Sequence, residues 1–217
     1  MIFYIDKSTK MKYIISIAVL LFSVIVHEVA HGFVAYKRGD STAKLLGRLT
    51  LNPIYHMDIF GSIILPAILM LMGAPVFGWA KPVPVNMYNL KNLKTDMILV
   101  SLAGIMANFL LAVCAGVFMF VIRTFFSDIS VMVSIYYILQ YIIVINIVLC
   151  IFNLLPIPPL DGSKVVLFLL PRELAKNYVK IEKYGFWIIV VLLMTNILWK
   201  IIGPIANFLI KLLSGAM

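Results

Sequence analysis

The chain has 217 residues, of which 63% are hydrophobic and 12% are charged, and its mean hydropathy is +1.07. These values exclude a soluble globular protein and indicate an integral membrane protein. The net charge of +9 does not indicate a nucleic-acid partner, because the basic residues gather beside apolar segments and form no stripe with interleaved aromatic residues. We therefore expect one membrane-embedded domain over residues 1–217, mainly α-helical and polytopic, with a small membrane-associated β or re-entrant region around residues 41–89.

The first apolar run extends from about residue 13 to residue 36 and predicts a spanning helix over residues 11–37. Two basic residues and a glycine mark its end, namely Lys37, Arg38 and Gly39. The residues before the run show no small-residue cleavage site after a short apolar core. This favours a retained helix over a removed signal peptide.

Three ionisable residues lie inside this run, in the sequence His27-Glu28-Val29-Ala30-His31. On a helix, His27 and His31 fall on one face, one turn apart, where two imidazoles can bind the same zinc ion. Glu28 lies beside them, and a carboxylate next to a metal can act as general base and acid towards a water molecule. An ionised group at the bilayer centre costs at least about 2.5–3.5 kcal/mol on insertion scales, so we expect a functional role for these residues.

The sequence from 41 to 89 is less uniformly apolar than the runs on either side. Its apolar stretch at 59–72 is too short to cross a membrane readily. The segments Leu45–Leu51 and Ala80–Val85 are expected to be extended. Pro82 and Pro84 remove the N–H groups from one edge of the second segment. Its other edge can still donate to one extended partner, through the N–H groups of Lys81, Val83 and Val85. A plain proline-rich connector is the alternative.

Two further full spans are expected at 96–122 and 131–152. The first of them contains Gly104 to Asn108, a segment with small residues that let helices approach closely and an amide that can hydrogen-bond across them. The second ends in Asn153 to Gly162, where three prolines open the backbone within reach of the membrane. The rest of the chain is expected to form a short helix at 162–170, a polar surface stretch at 172–183 and an apolar region at 185–213, broken at Gly203-Pro204.

A catalytic zinc keeps three protein ligands and leaves one position to water, so the two histidines need a third partner. Asp161 is preferred, because it lies in a proline-broken apolar segment at a depth similar to that of His31, where an unpaired carboxylate would be costly. The alternatives are three residues expected at helix ends and one expected in a loop or at the surface, respectively Asp40, Asp58, Asp96 and His56. The two cysteines are expected to be small buried hydrophobes, because Cys114 and Cys150 lie in apolar runs without CxxC spacing.

The distribution of basic residues predicts the orientation in the membrane. With spans at 11–37, 96–122 and 131–152, twelve Lys and Arg side chains fall on one side, and four fall on the other, namely Lys7, Lys10, Lys12 and Arg123. The richer side is expected to be cytoplasmic. The His27 to His31 motif and Asp161 would then lie in the cytoplasmic half, with the N-terminus outside.

Three segments resemble those of the site-2 protease family of intramembrane zinc metalloproteases: His27 to His31, Gly104 to Asn108 and Asn153 to Gly162. The resemblance covers most of residues 20–165 and is to compact members without a PDZ or CBS domain. It implies zinc ligation by His27, His31 and Asp161, acid/base catalysis by Glu28, and a role for Asn153 in holding the substrate backbone. One departure is Ile105, which stands where the family commonly has proline, and close packing around Gly104 does not require that proline.

Together these features predict a zinc metalloendopeptidase of the cell membrane that cleaves peptide bonds in or near transmembrane segments of membrane proteins. Zn²⁺ is the expected cofactor, the expected partners are a transmembrane substrate and the lipid bilayer, and Lys81, Val83 and Val85 are expected to bind the substrate. A membrane metal-ion transporter or a zinc-binding protein without proteolytic activity is the alternative. Glu28 discriminates between the two, because its replacement by Gln in a transporter would change only ion affinity. Cobalt or iron could occupy the same ligands.

Overall fold

A computed structural model of the chain describes residues 7–72, 80–125 and 130–215. The described parts are mainly helical. The α-helices are α1 (Lys7–Lys37), α2 (Thr42–Leu45), α3 (Leu65–Leu71), α4 (Leu93–Phe125), α5 (Ser130–Leu154), α6 (Asp161–Leu169), α7 (Arg172–Val179), α8 (Glu182–Met194) and α9 (Ile197–Ser214). A π-helical segment, Ile59–Ile64, precedes α3, and two short 3-10 helices occupy Pro53–His56 and Met87–Asn89.

Four helical segments are long and apolar enough to cross a membrane: Met11–Lys37, Leu93–Phe125, Ile135–Leu154 and Ile197–Ser214. They confirm a mainly helical multi-pass membrane protein, with the first three spans close to their predicted positions. The region predicted at 185–213 consists of two helices, and its break lies at Thr195 and Asn196 instead of Gly203-Pro204. Asn196 has a φ of 57°, a left-handed conformation that asparagine tolerates better than most residues, whereas α9 continues through Pro204.

The hydrophobic core lies between α4, α5 and α9. Met119, Ile143 and Ile147 are at most 1% exposed, and small residues on facing helices, such as Ala112 and Ala206, allow close approach. Large apolar side chains remain on the outer surface of the helices, where Phe22, Phe118 and Trp199 are about half exposed. In a bilayer these side chains contact lipid, so the same helices are apolar on both their packed and their outer faces.

The structure does not support the predicted β or re-entrant region around residues 41–89, because the part of it that the structure describes, 41–72 and 80–89, contains no strand. Leu45 ends α2, and the chain then turns at Gly47, whose φ is 65°. Ala80 to Val85 is neither helix nor strand.

The residues from 80 to 86, which we call the proline strap, are held by groups other than a neighbouring strand. The N–H of Lys81 donates to the carbonyl oxygen of His56 at 2.9 Å, and the N–H of Val83 donates to Oε2 of Glu28 at 2.7 Å. Arg48 Nη2 donates to the carbonyl oxygens of Lys81 at 2.9 Å and Pro82 at 3.4 Å. Because the prolines lack N–H groups, the strap cannot form a continuous ladder, and its remaining donors and acceptors bond singly to separate elements.

Asp40 joins the end of α1 to the far end of the proline strap. It is fully buried, and its carboxylate accepts from the backbone N–H of Asn86 at 2.7 Å, from that of Thr42 at 3.0 Å and from the side-chain amide of Asn89 at 2.9 Å. Burial opposes ionisation, but these hydrogen bonds outweigh it and lower the pKa of Asp40. Asp40 therefore has the helix-end role expected of it, and it also fixes the strap.

We expect Asp40→Ala to lower the free energy of unfolding by about 1–3 kcal/mol, because four partly buried donors, including the Thr42 hydroxyl group, lose their acceptor. Since the pKa of Asp40 is lowered in the folded state, its stabilising effect is present above the ordinary pKa of about 3.9 and is lost as the pH falls below it. Thermal unfolding in detergent across this pH range measures both effects. Glu173→Ala, at an exposed position, is the control, and an unchanged acid-side slope in Asp40→Ala would contradict the prediction.

Candidate metal centre

Three side chains from two distant parts of the chain converge inside the helical bundle. His27 and His31 lie one turn apart on α1, and Asp161 is the first residue of α6. The two Nε2 atoms are 3.0 Å apart, and each is 3.0 Å from Oδ2 of Asp161. The three residues are between 5% and 8% exposed. Within the described ranges they are the only group of His, Cys, Asp or Glu that could hold a metal ion.

The hydrogen bonds of the imidazoles fix which nitrogen faces the centre. His27 Nδ1 lies 2.6 Å from Oδ1 of Asn108, and His31 Nδ1 lies 2.6 Å from the carbonyl oxygen of Val100. Because both partners are acceptors, each Nδ1 carries the proton, and each Nε2 presents a lone pair. Two lone pairs and a carboxylate oxygen therefore face one another in a buried space, an arrangement that a cation between them would stabilise.

The donor set fits zinc. Two imidazole nitrogens and one carboxylate oxygen form a common ligand set for catalytic zinc, which leaves a fourth position open. Ligand atoms about 2.0–2.2 Å from a tetrahedral zinc lie about 3.3–3.5 Å from one another, close to the 3.0 Å separations around His27, His31 and Asp161. Lys164 Nζ donates to the other oxygen of Asp161 at 2.9 Å and so orients the carboxylate.

A buried series of hydrogen-bonded polar side chains contacts His27 at its Nδ1 atom. Asn108 on α4 donates through Nδ2 to Oδ1 of Asn146 on α5 at 2.8 Å, which fixes its Oδ1 towards His27. Asn146 donates in turn to Oγ of Ser23 on α1 at 2.8 Å. These three residues are at most 1% exposed. We call Ser23, Asn146 and Asn108 the amide relay; it ties three spanning helices together and ends on the Nδ1 atom of His27.

Only part of this support is predicted from the sequence. The amide of Asn108 is expected to hydrogen-bond between helices, but its contact with His27 and the contributions of Asn146 and Ser23 are not predicted. The available signal was polarity, because an amide in an otherwise apolar span must find a partner inside the bundle. Which partner it finds depends on the helix packing, which the sequence does not specify.

Gly104 is required by the imidazoles themselves. A Cβ added at Gly104 would lie 2.5 Å from His31 Nε2 and 2.6 Å from His27 Cε1, closer than Cβ atoms come to such neighbours in folded proteins. The predicted role of this residue was close packing between helices. In the structure, α4 approaches α1 closely at this position, and the two histidine rings occupy the space where a side chain would be. Gly162 has a similar role beside Asp161, since a Cβ there would collide with the carbonyl oxygen of Leu154.

Glu28 lies next to the three converging side chains and is half-buried. Its Oε2 accepts the N–H of Val83, which is 6% exposed. Gly32, one turn further along α1, makes room for the strap, because a Cβ at Gly32 would lie 2.6 Å from Cγ1 of Val83. The proline strap therefore lies directly against the helix that carries both histidines and Glu28.

The other candidate ligands have partners elsewhere. Asp40 holds the strap, and Asp58 accepts the N–H of Gly61 at 2.7 Å. Asp96 accepts the N–H of Asn92 at 2.8 Å and lies 3.6 Å from Arg38. His56 is buried, with its Nε2 2.7 Å from the carbonyl oxygen of Thr50.

Two of the residues predicted to bind substrate have bonds within the protein. Asn153 donates to the carbonyl oxygen of Leu149 in its own helix at 3.0 Å. The N–H groups of Lys81 and Val83 have the partners described above, and Val85 is half-buried. Substrate binding at Asn153, Lys81, Val83 and Val85 therefore remains a prediction, and at Lys81 and Val83 it requires an exchange of hydrogen-bond partners.

Comparison with known proteins gives consistent matches. The sequence model of peptidase family M50 matches residues 15–196. The chain is 38% identical over 209 residues to "Putative zinc metalloprotease YwhC" of Bacillus subtilis, which covers 90% of this chain and 89% of the relative. It is 34% identical over 185 residues to "Putative zinc metalloprotease Rip2" of Mycolicibacterium smegmatis, which covers 84% of this chain and 68% of the relative. No solved structure matches the chain significantly.

We expect Asn108→Leu to weaken zinc binding about 10- to 100-fold, because His27 loses the acceptor that fixes its tautomer. Asn108→Asp retains an acceptor at this position and should bind zinc more tightly than Asn108→Leu. Competition with a chelator of known affinity measures the difference, and Asn207→Leu, at an exposed position on α9, is the matched control. Equal zinc affinity in Asn108→Leu and wild type would contradict the role of the amide relay.

Proposed function

The chain belongs to peptidase family M50, and from that premise we propose that His27, His31 and Asp161 hold the catalytic zinc and that Glu28 is the general base and acid. The protein is an intramembrane zinc metalloprotease, which cleaves peptide bonds of membrane-embedded protein substrates. The observation that carries the residue assignment is the convergence of two Nε2 atoms and one carboxylate oxygen at 3.0 Å from one another.

Each residue of the centre has a separate task in hydrolysis. When bound, zinc polarises the scissile carbonyl group and lowers the pKa of a water molecule towards about 7. Asn108 and Val100 keep the imidazoles of His27 and His31 in the tautomer that presents Nε2. The N–H of Val83 holds one oxygen of Glu28 until the substrate binds, and Glu28 then takes the proton from the attacking water and later delivers it to the leaving amine.

The substrate must present an unwound segment to this centre, since a peptide bond within a helix is sterically hidden. We infer that this segment binds in extended form along the proline strap, with backbone bonds to Lys81, Val83 and Val85 that give little sequence preference. The contact between Val83 and Glu28 supports this position, because it brings the donor edge of the strap to the catalytic carboxylate. Asn153 is proposed to hold the substrate backbone from α5.

We place the protein in the cell membrane as a single catalytic domain, with the centre on the cytoplasmic side and the N-terminus outside. The excess of Lys and Arg in the loops that follow the first and third spans supports this orientation. A fusion of a reporter to either side of the first span tests the orientation independently of activity.

Glu28→Gln is expected to retain zinc and to lose about 10²- to 10⁴-fold in the rate of substrate cleavage, because the amide cannot accept the proton of the attacking water. Metal analysis and cleavage of a transmembrane substrate are measured on the same preparation, with Glu173→Gln as an exposed control. His31→Ala should lose zinc and cleavage together. Cleavage by Glu28→Gln at the wild-type rate would refute the assignment.

Val85→Pro is expected to slow cleavage several-fold without changing zinc content. It removes an N–H group that has no partner within the described ranges and leaves the bond between Val83 and Glu28 in place. Val85→Ala keeps the N–H group and is the matched control for the lost side chain. If both variants cleave equally fast, the strap does not pair with the substrate at Val85.

A further inference from the structure

A groove of about 540 Å³ lies beside the proline strap, on the face that Pro82 and Pro84 form. Val83, between these prolines, points the other way and contacts α1 at Gly32. The groove is therefore separated from Glu28 by the thickness of the strap. Its lining consists of Leu46, Arg48, Ile54, Tyr55, Met57, Lys81, Pro82 and Pro84.

Arg48 is the most unusual residue of this lining. It is only 7% exposed, and its Nη2 atom bonds to the two backbone carbonyls of the strap. Its Nε atom is buried and has no hydrogen-bond partner within the described ranges. No salt bridge of Arg48 to a carboxylate is found among the same residues. A buried guanidinium without an anionic partner is costly, which points to a ligand that supplies the negative charge.

The charge of the groove is of one sign. Lys81 adds a second cation to Arg48, and no Asp or Glu is among the lining residues that the structure describes. The rest of the lining is apolar and open, since Leu46 is 61% exposed, Ile54 73% and Met57 44%. The groove thus matches an amphiphile that has an anionic group and an apolar chain.

The position along α1 places the groove at the level of lipid headgroups. The span Met11–Lys37 has 27 residues, which at 1.5 Å each is about 40 Å, against a hydrocarbon core of about 30 Å. Leu49 and Val83, the chain neighbours of Arg48 and Pro82, both meet α1 at Gly32, five residues before the end of the span. The groove therefore lies near the boundary between acyl chains and headgroups.

A peptide fits this face of the strap poorly. An extended peptide binds by main-chain hydrogen bonds, but Pro82 and Pro84 offer no N–H group. The carbonyl oxygens of Lys81 and Pro82 already accept from Arg48. A phosphate group needs no main-chain partner and accepts several hydrogen bonds from a guanidinium.

We propose that this groove binds an anionic phospholipid, with its phosphate on Arg48 and Lys81 and an acyl chain along Leu46, Ile54 and Met57. Basic pockets at the edge of spanning helices are suited to such headgroups. The site does not depend on the assignment of the catalytic residues. A bound lipid would cover the outer face of the strap, whose inner face holds Glu28.

The test uses the full-length protein in nanodiscs of phosphatidylcholine alone or of an equal mixture with phosphatidylglycerol. Transfer to mild detergent followed by native mass spectrometry counts the lipid molecules that remain bound. We expect wild type to retain one phosphatidylglycerol molecule. Arg48→Gln should bind this lipid at least about tenfold more weakly, because a charge-assisted hydrogen bond is lost. Arg172→Gln, on the exposed surface of α7, is the matched control and should retain the lipid.

Arg48→Gln also removes bonds to the strap, so Lys81→Gln provides a second test that leaves Arg48 and its backbone contacts intact. It should reduce retention while thermal stability in phosphatidylcholine stays at the wild-type value. Equal retention of phosphatidylcholine and phosphatidylglycerol, or full retention in both groove variants, would overturn the proposal. Displacement of the lipid by inorganic phosphate or by an acidic peptide at equal concentration would overturn it as well, because the site would then recognise only the anion.

Discussion

The central feature of the structure is the close approach of three acceptor atoms, which repel one another when no cation lies between them. His27, His31 and Asp161 present two lone pairs and a carboxylate oxygen to each other at 3.0 Å, in a largely buried position where solvent screens them little. A metal cation converts this repulsion into attraction. Because Asp161 comes from α6 and the histidines from α1, a metal ion held by all three would link its own binding to the assembly of the bundle.

The surrounding residues fix the tautomers, positions and orientations of the three converging side chains. Asn108 and Val100 select the tautomers, Gly104 gives the rings room, and Lys164 orients the carboxylate. Glu28 is restricted in a different way, by a main-chain N–H group from a segment that has no regular structure. The three converging side chains are therefore held by regular helices, whereas Glu28 is held by the proline strap.

The sequence was sufficient for the spans, for the helical pair of histidines and for the expectation that Asp161 lies close to them. These features depend on apolar length, on the 3.6-residue period and on the cost of a carboxylate in an apolar segment, all of which are local or compositional. The strands expected at Leu45 to Leu51 and at Ala80 to Val85 are absent from the described residues, because the bonds of the strap go to Glu28, Arg48 and His56. Such single bonds between distant residues leave no periodic signal, and the partners of Asn108 escaped prediction for the same reason.

The direction of the hydrogen bonds in the amide relay couples helix spacing to chemistry. Every amide points its NH₂ group away from His27, and the last one ends on Ser23 of the same helix that carries the imidazole, so the circuit closes through α5. Asn108 Nδ2 also donates directly to the carbonyl oxygen of Ser23 at 3.3 Å, so α4 and α5 both bond to α1 at the same residue. A change in the spacing of these three helices would therefore alter the bonds that hold the acceptor of His27 Nδ1, although α5 supplies none of the three converging side chains.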